Sequence, residues 1–186
     1  MTGDKYKEVI RPFLDDRRYF HSLCVAEEAV KLAKKYGADV EKAYTSGILH
    51  DITKQTENET QLQFIQKSNI ISIKETEDKP KIYHSKSGAA YVHDVLGIDD
   101  MEIVDAIRYH TTARANMSLL ETILYIADFT SADRDYSDVS VMRVLADADL
   151  NEALKYALSY TITDLVQRRK TLHSDTVNAY DYYINR

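Results

Sequence analysis

Five separated signals, His21, the pair His50-Asp51, His84, His110 and Asp128, carry imidazole nitrogens and carboxylate oxygens enough to hold two metal ions. The set contains no thiolate. That argues against a closed structural zinc site and for a catalytic first-row metal such as iron, manganese or cobalt. Helical bundles build dinuclear sites from inward-facing side chains, and a shared carboxylate such as Asp51 could bridge two ions.

Helices must position these groups. Only five Gly and two Pro interrupt the chain, and apolar residues recur at three-and-four spacing almost throughout, which predicts an all-α fold. A short helix is expected to end near Asp15, and a second to run from Arg17 to Tyr36 with His21, Val25, Glu28 and Leu32 on one face and Gly37 as its stop. Asp39 reads as the N-cap of a third helix that closes on His50-Asp51. Gly47 lies one turn before the pair, where mid-helix glycine costs about 0.5 to 1 kcal/mol relative to alanine, so tight packing is expected there.

The stretch 53–81 should hold a helix at Glu59–Lys67 and a polar loop that could act as a mobile cover. Helical pattern resumes at Ser85 and ends at Gly97, then Asp99 opens a helix leading to His110. From Met117 to Phe129, Leu120, Leu124 and Asp128 are spaced by four and share a face pointing into the core. A short helix at Val141–Ala146, a long one at Asn151–Lys170 and a terminal one from Thr176 complete the chain. The expected unit is one domain over 1–186, with a ligand-bearing core at about 17–135 and helices of about 140–186 packed on it.

Neither histidine number nor the His-Asp dipeptide is diagnostic, because His93-Asp94 repeats the dipeptide. His93 falls nine residues after His84, which at about 100° per residue places it on the opposite helix face, towards solvent. His173 follows Arg168, Arg169 and Lys170, where an imidazolium would favour a helix C-terminus. Singly, His110 could be a helix cap, Asp51 an ion-pair or capping residue, and Asp128 a partner for Arg134. Together, on or beside apolar stripes, they point to one centre.

The single cysteine, Cys24, lies in an apolar helical pattern and cannot form an internal disulfide, which suits a reducing compartment. The N-terminal residues show no charged-then-apolar signal pattern and no apolar run reaches about 20 residues, so a cytoplasmic location is expected. The net charge of -6 gives no global attraction to nucleic acid or acidic membranes. A polyanionic ligand must therefore be met by local positive charge. Lys54, one turn beyond His50, and the planar fork of Arg134 could supply it, with Thr111 as a hydroxyl donor and Arg18 and Arg114 as further candidates.

The order His, His-Asp, His, His, Asp resembles the HD-domain metal-dependent phosphohydrolases. The strings Arg18-Tyr19-Phe20-His21-Ser22, Leu49-His50-Asp51-Ile52-Thr53-Lys54, His84-Ser85, His110-Thr111-Thr112 and Ile126-Ala127-Asp128-Phe129, with Arg134 beyond, are similar to those of the symmetrical diadenosine tetraphosphatases. The likeness covers nearly the whole chain. It departs at Ala113, where that family often has Gly, and at Ser174, where it often has Pro. Thr53 and Lys54 stand where HD enzymes acting on the guanosine stringent-response nucleotides carry acidic residues.

The resemblance implies one ion on His21, His50, Asp51 and Asp128 and a second on Asp51, His84 and His110, with iron favoured and manganese or cobalt as alternatives. It implies that hydroxide generated from a metal-bound water attacks a phosphorus beside the central bridging oxygen of diadenosine tetraphosphate, giving two ADP. The leaving ADP is a stable anion, so neutralising phosphoryl charge matters more than general acid catalysis. Asp51, Lys54 and Arg134 are then the expected catalytic groups, and Lys54, Thr111, Arg134 and Arg18 the phosphate contacts. The partners are a dinucleoside polyphosphate and ADP, with neither nucleic acid nor membrane.

Other readings stay open on the residues alone: an HD-type nucleotidase or cyclic-nucleotide phosphodiesterase, a di-iron oxygenase, or a nucleotide sensor without turnover. A homodimer through the stripe of Leu154–Leu165 is conceivable, although core packing explains the same stripe.

Overall fold

The computed structural model describes residues 4–186. Among these the chain forms ten α-helices and two 3-10 turns, with no strand. In order they are α1 (Asp4–Ile10), α2 (Asp16–Tyr36), α3 (Val40–Leu49), α4 (Asn58–Lys67), α5 (Pro80–Asp94), α6 (Met101–Tyr109), α7 (Leu119–Thr130), α8 (Val139–Ala148), α9 (Leu150–Gln167) and α10 (Ser174–Tyr183). No helix of the described residues is long and apolar enough to cross a membrane.

Local chemistry sets most boundaries. The Asp15 carboxylate accepts from Arg18 N at the start of α2, and Gly37, at φ 78°, closes it in the left-handed conformation that glycine adopts without Cβ strain. Asp39 caps α3 by accepting from Glu41 N and Lys42 N. Ser118 and Glu121 form a reciprocal capping box on α7.

Several expected boundaries move. The first helix stops at Ile10 because Pro12 has no N–H to continue the α-helical ladder and its ring crowds the preceding turn, and Arg11–Phe13 tightens into a 3-10 turn instead. α5 starts at Pro80 rather than Ser85, with proline suited to the first turn because its missing N–H has no intrahelical acceptor there. Asp100, not Asp99, caps α6 by accepting from Glu102 N. The expected cover over 53–81 holds a second 3-10 turn, Ile73–Thr76, closed by a Ser72/Glu75 capping box. The Arg108 guanidinium then grips Glu75 bidentately at 2.8 and 2.7 Å, tying that segment to α6.

His173 requires a correction. It stands at the N-terminus of α10, where its Nδ1 accepts from Asp175 N at 3.1 Å while Nε2–H donates to Glu75 O at 2.9 Å. The preceding basic run suggested a C-terminal position, but α9 ends at Gln167 and the chain turns through Arg169 at φ 53° before α10 begins. The role remains structural.

The core is continuous. Val25 and Leu32 of α2, Ile48 and Leu49 of α3, Ile107 of α6 and Ile123 and Leu124 of α7 are fully or almost fully buried, and Leu154, Ala157 and Leu158 of α9 and Ala179 of α10 join the same cluster. The first half of the α9 stripe, Leu154 to Leu158, is therefore occupied by core packing, whereas Ile162 and Leu165 are only partly buried and lie outside that cluster. A close approach joins α2 and α3, where a Cβ on Gly47 would stand 2.6 Å from Ala26 Cα. This explains a mid-helix glycine, and it brings the end of α3 against the helix that carries His21.

Candidate metal centre

Five elements deliver the six donors to one place. His21 comes from the first turns of α2, His50 caps α3 with Asp51 in the following turn, His84 lies in α5, His110 caps α6, and Asp128 sits in the last turns of α7. The imidazoles form a chain, with ring centroids 5.3 Å apart from His21 to His50, 5.0 Å from His50 to His110 and 5.2 Å from His110 to His84. Three groups have ligand atoms within 4.8 Å of one another: His21, His50 and Asp51; His50, His110 and Asp128; and Asp51, His84 and His110.

Backbone carbonyls orient two rings. His50 Nδ1–H donates to Gly47 O at 2.7 Å, and His110 Nδ1–H donates to Ile107 O at 2.7 Å. A carbonyl can only accept, so Nε2 in each neutral ring keeps its lone pair for the centre. His21 is held by a carboxylate, with Nδ1 2.8 Å from Asp133 Oδ2, and Ser131 Oγ donates to Asp133 Oδ1 at 2.8 Å. Such outer partners fix ring orientation and raise ligand basicity at metal sites.

Asp51 divides its two oxygens. Oδ2 faces His50 Nε2 at 3.5 Å, whereas Oδ1 faces His84 Nε2 at 3.4 Å and His110 Nε2 at 3.6 Å. His50 Nε2 and Asp51 Oδ1 are buried without a hydrogen-bond partner, an expensive arrangement for a protein interior unless another group satisfies them. Neutral imidazoles and ionised carboxylates on converging helices match what a divalent metal requires.

The protonation states agree. Burial would push the Asp51 carboxyl up, but His50, His110 and Lys54 together hold it well below the usual carboxylate range. Asp128 is likewise driven up by burial and brought well below it by Arg134 and His21. Burial, reinforced by Lys54, lowers His84 far below the ordinary imidazole value, and burial also lowers His110.

Three cations border the donors. Arg18 NH1 is 2.8 Å from Asp51 Oδ2, and Lys54 Nζ is 2.9 Å from His84 Nε2. Arg134 pairs with Asp128 Oδ1 and donates through Nε to Asp128 O at 2.7 Å. The pairing of Asp128 with Arg134 that the sequence allowed is thus present, beside the donor cluster. Thr111 Oγ1 sits 3.1 Å from both His84 Nε2 and His110 Nε2. Arg114 is brought instead to Glu121, at 2.6 and 2.9 Å.

His93 stays outside the centre, paired with Asp94 at 2.7 Å and half-buried rather than freely solvated. Asp128 points towards His21, whose Nε2 is 3.0 Å from Asp128 Oδ1, and not into the apolar core. Two positioning residues escaped the reading of the sequence. Asp133 was visible only as a neighbour of Arg134, and nothing in its spacing joined it to His21. Thr53 is buried, and its Oγ1 donates to His84 O at 2.9 Å, linking the His-Asp turn to α5.

An all-helical scaffold that brings four imidazoles and two carboxylates around orphaned buried atoms defines a helical protein with a centre suited to metal binding. The family model of the HD domain matches residues 18–133. Symmetrical bis(5'-nucleosyl)-tetraphosphatase from Halalkalibacterium halodurans is 37% identical over 182 residues, covering 97% of this chain and 96% of that one. The Bacillus subtilis protein of the same name is 33% identical, covering 100% and 99%. A crystal structure from Clostridium acetobutylicum, described as a predicted HD superfamily hydrolase involved in NAD metabolism, superposes with a TM-score of 0.93 at 37% identity, covering 98% of this chain and 97% of that one. The chain belongs to the HD-domain family and, within it, to the symmetrical bis(5'-nucleosyl)-tetraphosphatases.

Proposed function

We propose that this chain hydrolyses diadenosine tetraphosphate at its centre, consuming one water and releasing two ADP. The observation that carries the reading is the division of Asp51 between His50 on one side and His84 with His110 on the other, which suits one carboxylate shared by two ions. His21, His50, Asp51 and Asp128 would hold one ion, and Asp51, His84 and His110 the other. Bound ions supply acidified water for attack and neutralise charge on the phosphoryl oxygens. A set of imidazoles and carboxylates without thiolate suits a first-row metal, and the resemblance favours iron among these, with manganese or cobalt as alternatives.

The remaining groups handle the substrate. Lys54 and Arg134 bring positive charge to the edge of the donor cluster, where a tetraphosphate must lie for its central bridge to react. Arg18 adds a third cation, and the Thr111 hydroxyl is placed between His84 and His110 to hydrogen-bond a phosphoryl oxygen. The chain is acidic overall, so this concentration of cations is a local feature and not a general property of its surface. Residues 1–186 act as one unit in this reading, because α9 and α10 complete the core behind the site.

Chromatography of products from diadenosine tetraphosphate, with the protein loaded separately with iron and manganese, tests reaction and metal together. Two ADP per substrate is the expected result. AMP plus ATP, or nucleoside release alone, would favour a different HD phosphoesterase.

A further inference from the structure

Lys86 of α5 is fully buried, and taking an ammonium out of water is costly unless its surroundings compensate. Carboxylates compensate only in part. Asp175 Oδ2 lies 3.5 Å and Glu75 Oε2 4.0 Å from Nζ, against about 2.7 to 2.9 Å for a charge-assisted hydrogen bond.

A further partner is an aromatic face. Nζ stands 4.2 Å from the centroid of the Tyr109 ring, well inside the distance of about 6 Å at which a cation is attracted by a ring quadrupole. The attraction is strongest for a desolvated cation, which Lys86 is. Arg114 and Arg108 also approach this ring, with Cζ at 4.7 and 5.3 Å, but Arg114 is committed to Glu121 and Arg108 to Glu75.

Both members of the pair adjoin proposed metal ligands in the chain. Lys86 follows His84 by two residues on α5, and Tyr109 directly precedes His110 at the end of α6. Two residues turn a helix by about 200°, so Lys86 leaves the side of α5 opposite to His84. The contact therefore joins α5 to α6 away from the imidazoles, whose ring centroids are 5.2 Å apart. Of the two ions, the one on Asp51, His84 and His110 draws on α5 and α6, whereas the one on His21, His50, Asp51 and Asp128 draws on neither.

We propose that Lys86 is a positioning residue: seated on the face of Tyr109, its ammonium fixes α5 against α6 and so sets the spacing of His84 and His110 for the second ion. The assignment of that ion rests on the two-ion reading given above. It gives a reason for a charge where an apolar side chain of similar volume would often be as stable or more so.

Lys86→Met keeps the length of the side chain and drops its charge. Asp175 and Glu75 are both partly exposed, so neither is left as a buried, unpaired charge. The melting temperature of the metal-free variant should therefore be unchanged or raised. In metal-free protein, the imidazole resonances of His84 and His110 should shift relative to wild type while those of His21 stay. Calorimetric titration with Mn²⁺ should show one ion bound as in wild type and the other weakened about tenfold, the low end of the effect of deleting an outer partner.

Tyr109→Phe, which keeps the ring face, should behave as wild type, and Tyr109→Leu should behave as Lys86→Met. That pair decides the matter if Lys86→Met does not fold. Unmoved His84 and His110 resonances, an undiminished second ion or equal weakening of both ions overturns the positioning role. A wild type that takes up only one ion sinks the two-ion reading, while the metal-free resonances still decide whether Lys86 sets the two imidazoles.

Discussion

Asp133 Oδ2 lies 2.8 Å from His21 Nδ1, so the first histidine of the chain is oriented by a carboxylate 112 residues later. The same carboxylate is steadied by Ser131, and its pKa, raised by burial, is brought below the ordinary value by Ser131 and His21. His21 Nε2 is thereby presented to Asp128 and the donor cluster.

Removing that support should weaken metal binding without unfolding the protein. Asp133→Ala is expected to lower metal affinity about 10- to 100-fold, the usual effect of deleting an outer partner. Metal titration followed by melting temperature checks it, since bound metal stabilises by mass action. An unchanged affinity would remove Asp133 from the centre.

Asp51 and Lys54 should separate by phenotype. Asp51→Ala or His50→Ala is expected to lose both metal and hydrolysis, whereas Lys54→Ala should keep the metal and raise KM about tenfold or more. Elemental analysis beside kinetics distinguishes them. Full activity in metal-free Asp51→Ala protein sinks the proposed mechanism.

Gly47 is where packing and chemistry meet. Gly47→Ala places a methyl 2.6 Å from Ala26 Cα, so α2 and α3 must part. A loss of about 1 to 3 kcal/mol is expected from denaturant unfolding, together with weaker metal binding because His21 and His50 move apart. A fully stable variant with normal metal content would show that the approach is not required.

Ala113 stands where related chains often have glycine, and its φ of 57° explains why. It is also fully buried, so Ala113→Gly relieves left-handed strain but gives up a methyl contact. The two effects are of similar size, about 1 kcal/mol each, and the expected net change is less than about 1 kcal/mol. Ala113→Val should destabilise by more than about 2 kcal/mol, because a branched side chain at positive φ adds strain to overpacking. Denaturant midpoints of the pair decide.

Glu77 links the 53–81 segment to α10, and hydrogen bonds from Lys79 and Ser174 hold its carboxyl down to about 2 from an ordinary 4.5. The depressed carboxyl binds fewer protons folded than unfolded. Its stabilisation is therefore complete above pH 4.5 and is lost as pH falls through about 2. Glu77→Gln should flatten the stability profile within that window and nowhere above it. The same contact accounts for Ser174: its backbone N–H donates to Glu77 Oε1 at 3.1 Å, which a proline at this helix start could not do.

Much of the fold was legible because caps and periodicity are local. Asp39, Gly37 and the four-residue spacing of Leu120, Leu124 and Asp128 act within a turn or two of themselves. The errors fell where local signals compete. Pro12 shortened the first helix, Pro80 began α5 inside a charged run, and the basic stretch before His173 resembled a helix end although a helix starts there.

The sequence by itself determined which donors exist, that none is a thiolate, and that each lies at or near a helix end. It also marked Gly47 as a close approach. Tertiary structure alone decided the pairings of Asp133 with His21 and of Thr53 with the His84 carbonyl, and opened a cavity shared by the starts of α4 and α5. Periodicity reports the face of one helix. Distances between groups on different helices depend on how those helices pack, and that is set by contacts such as Gly47 against Ala26, not by any residue's neighbours along the chain.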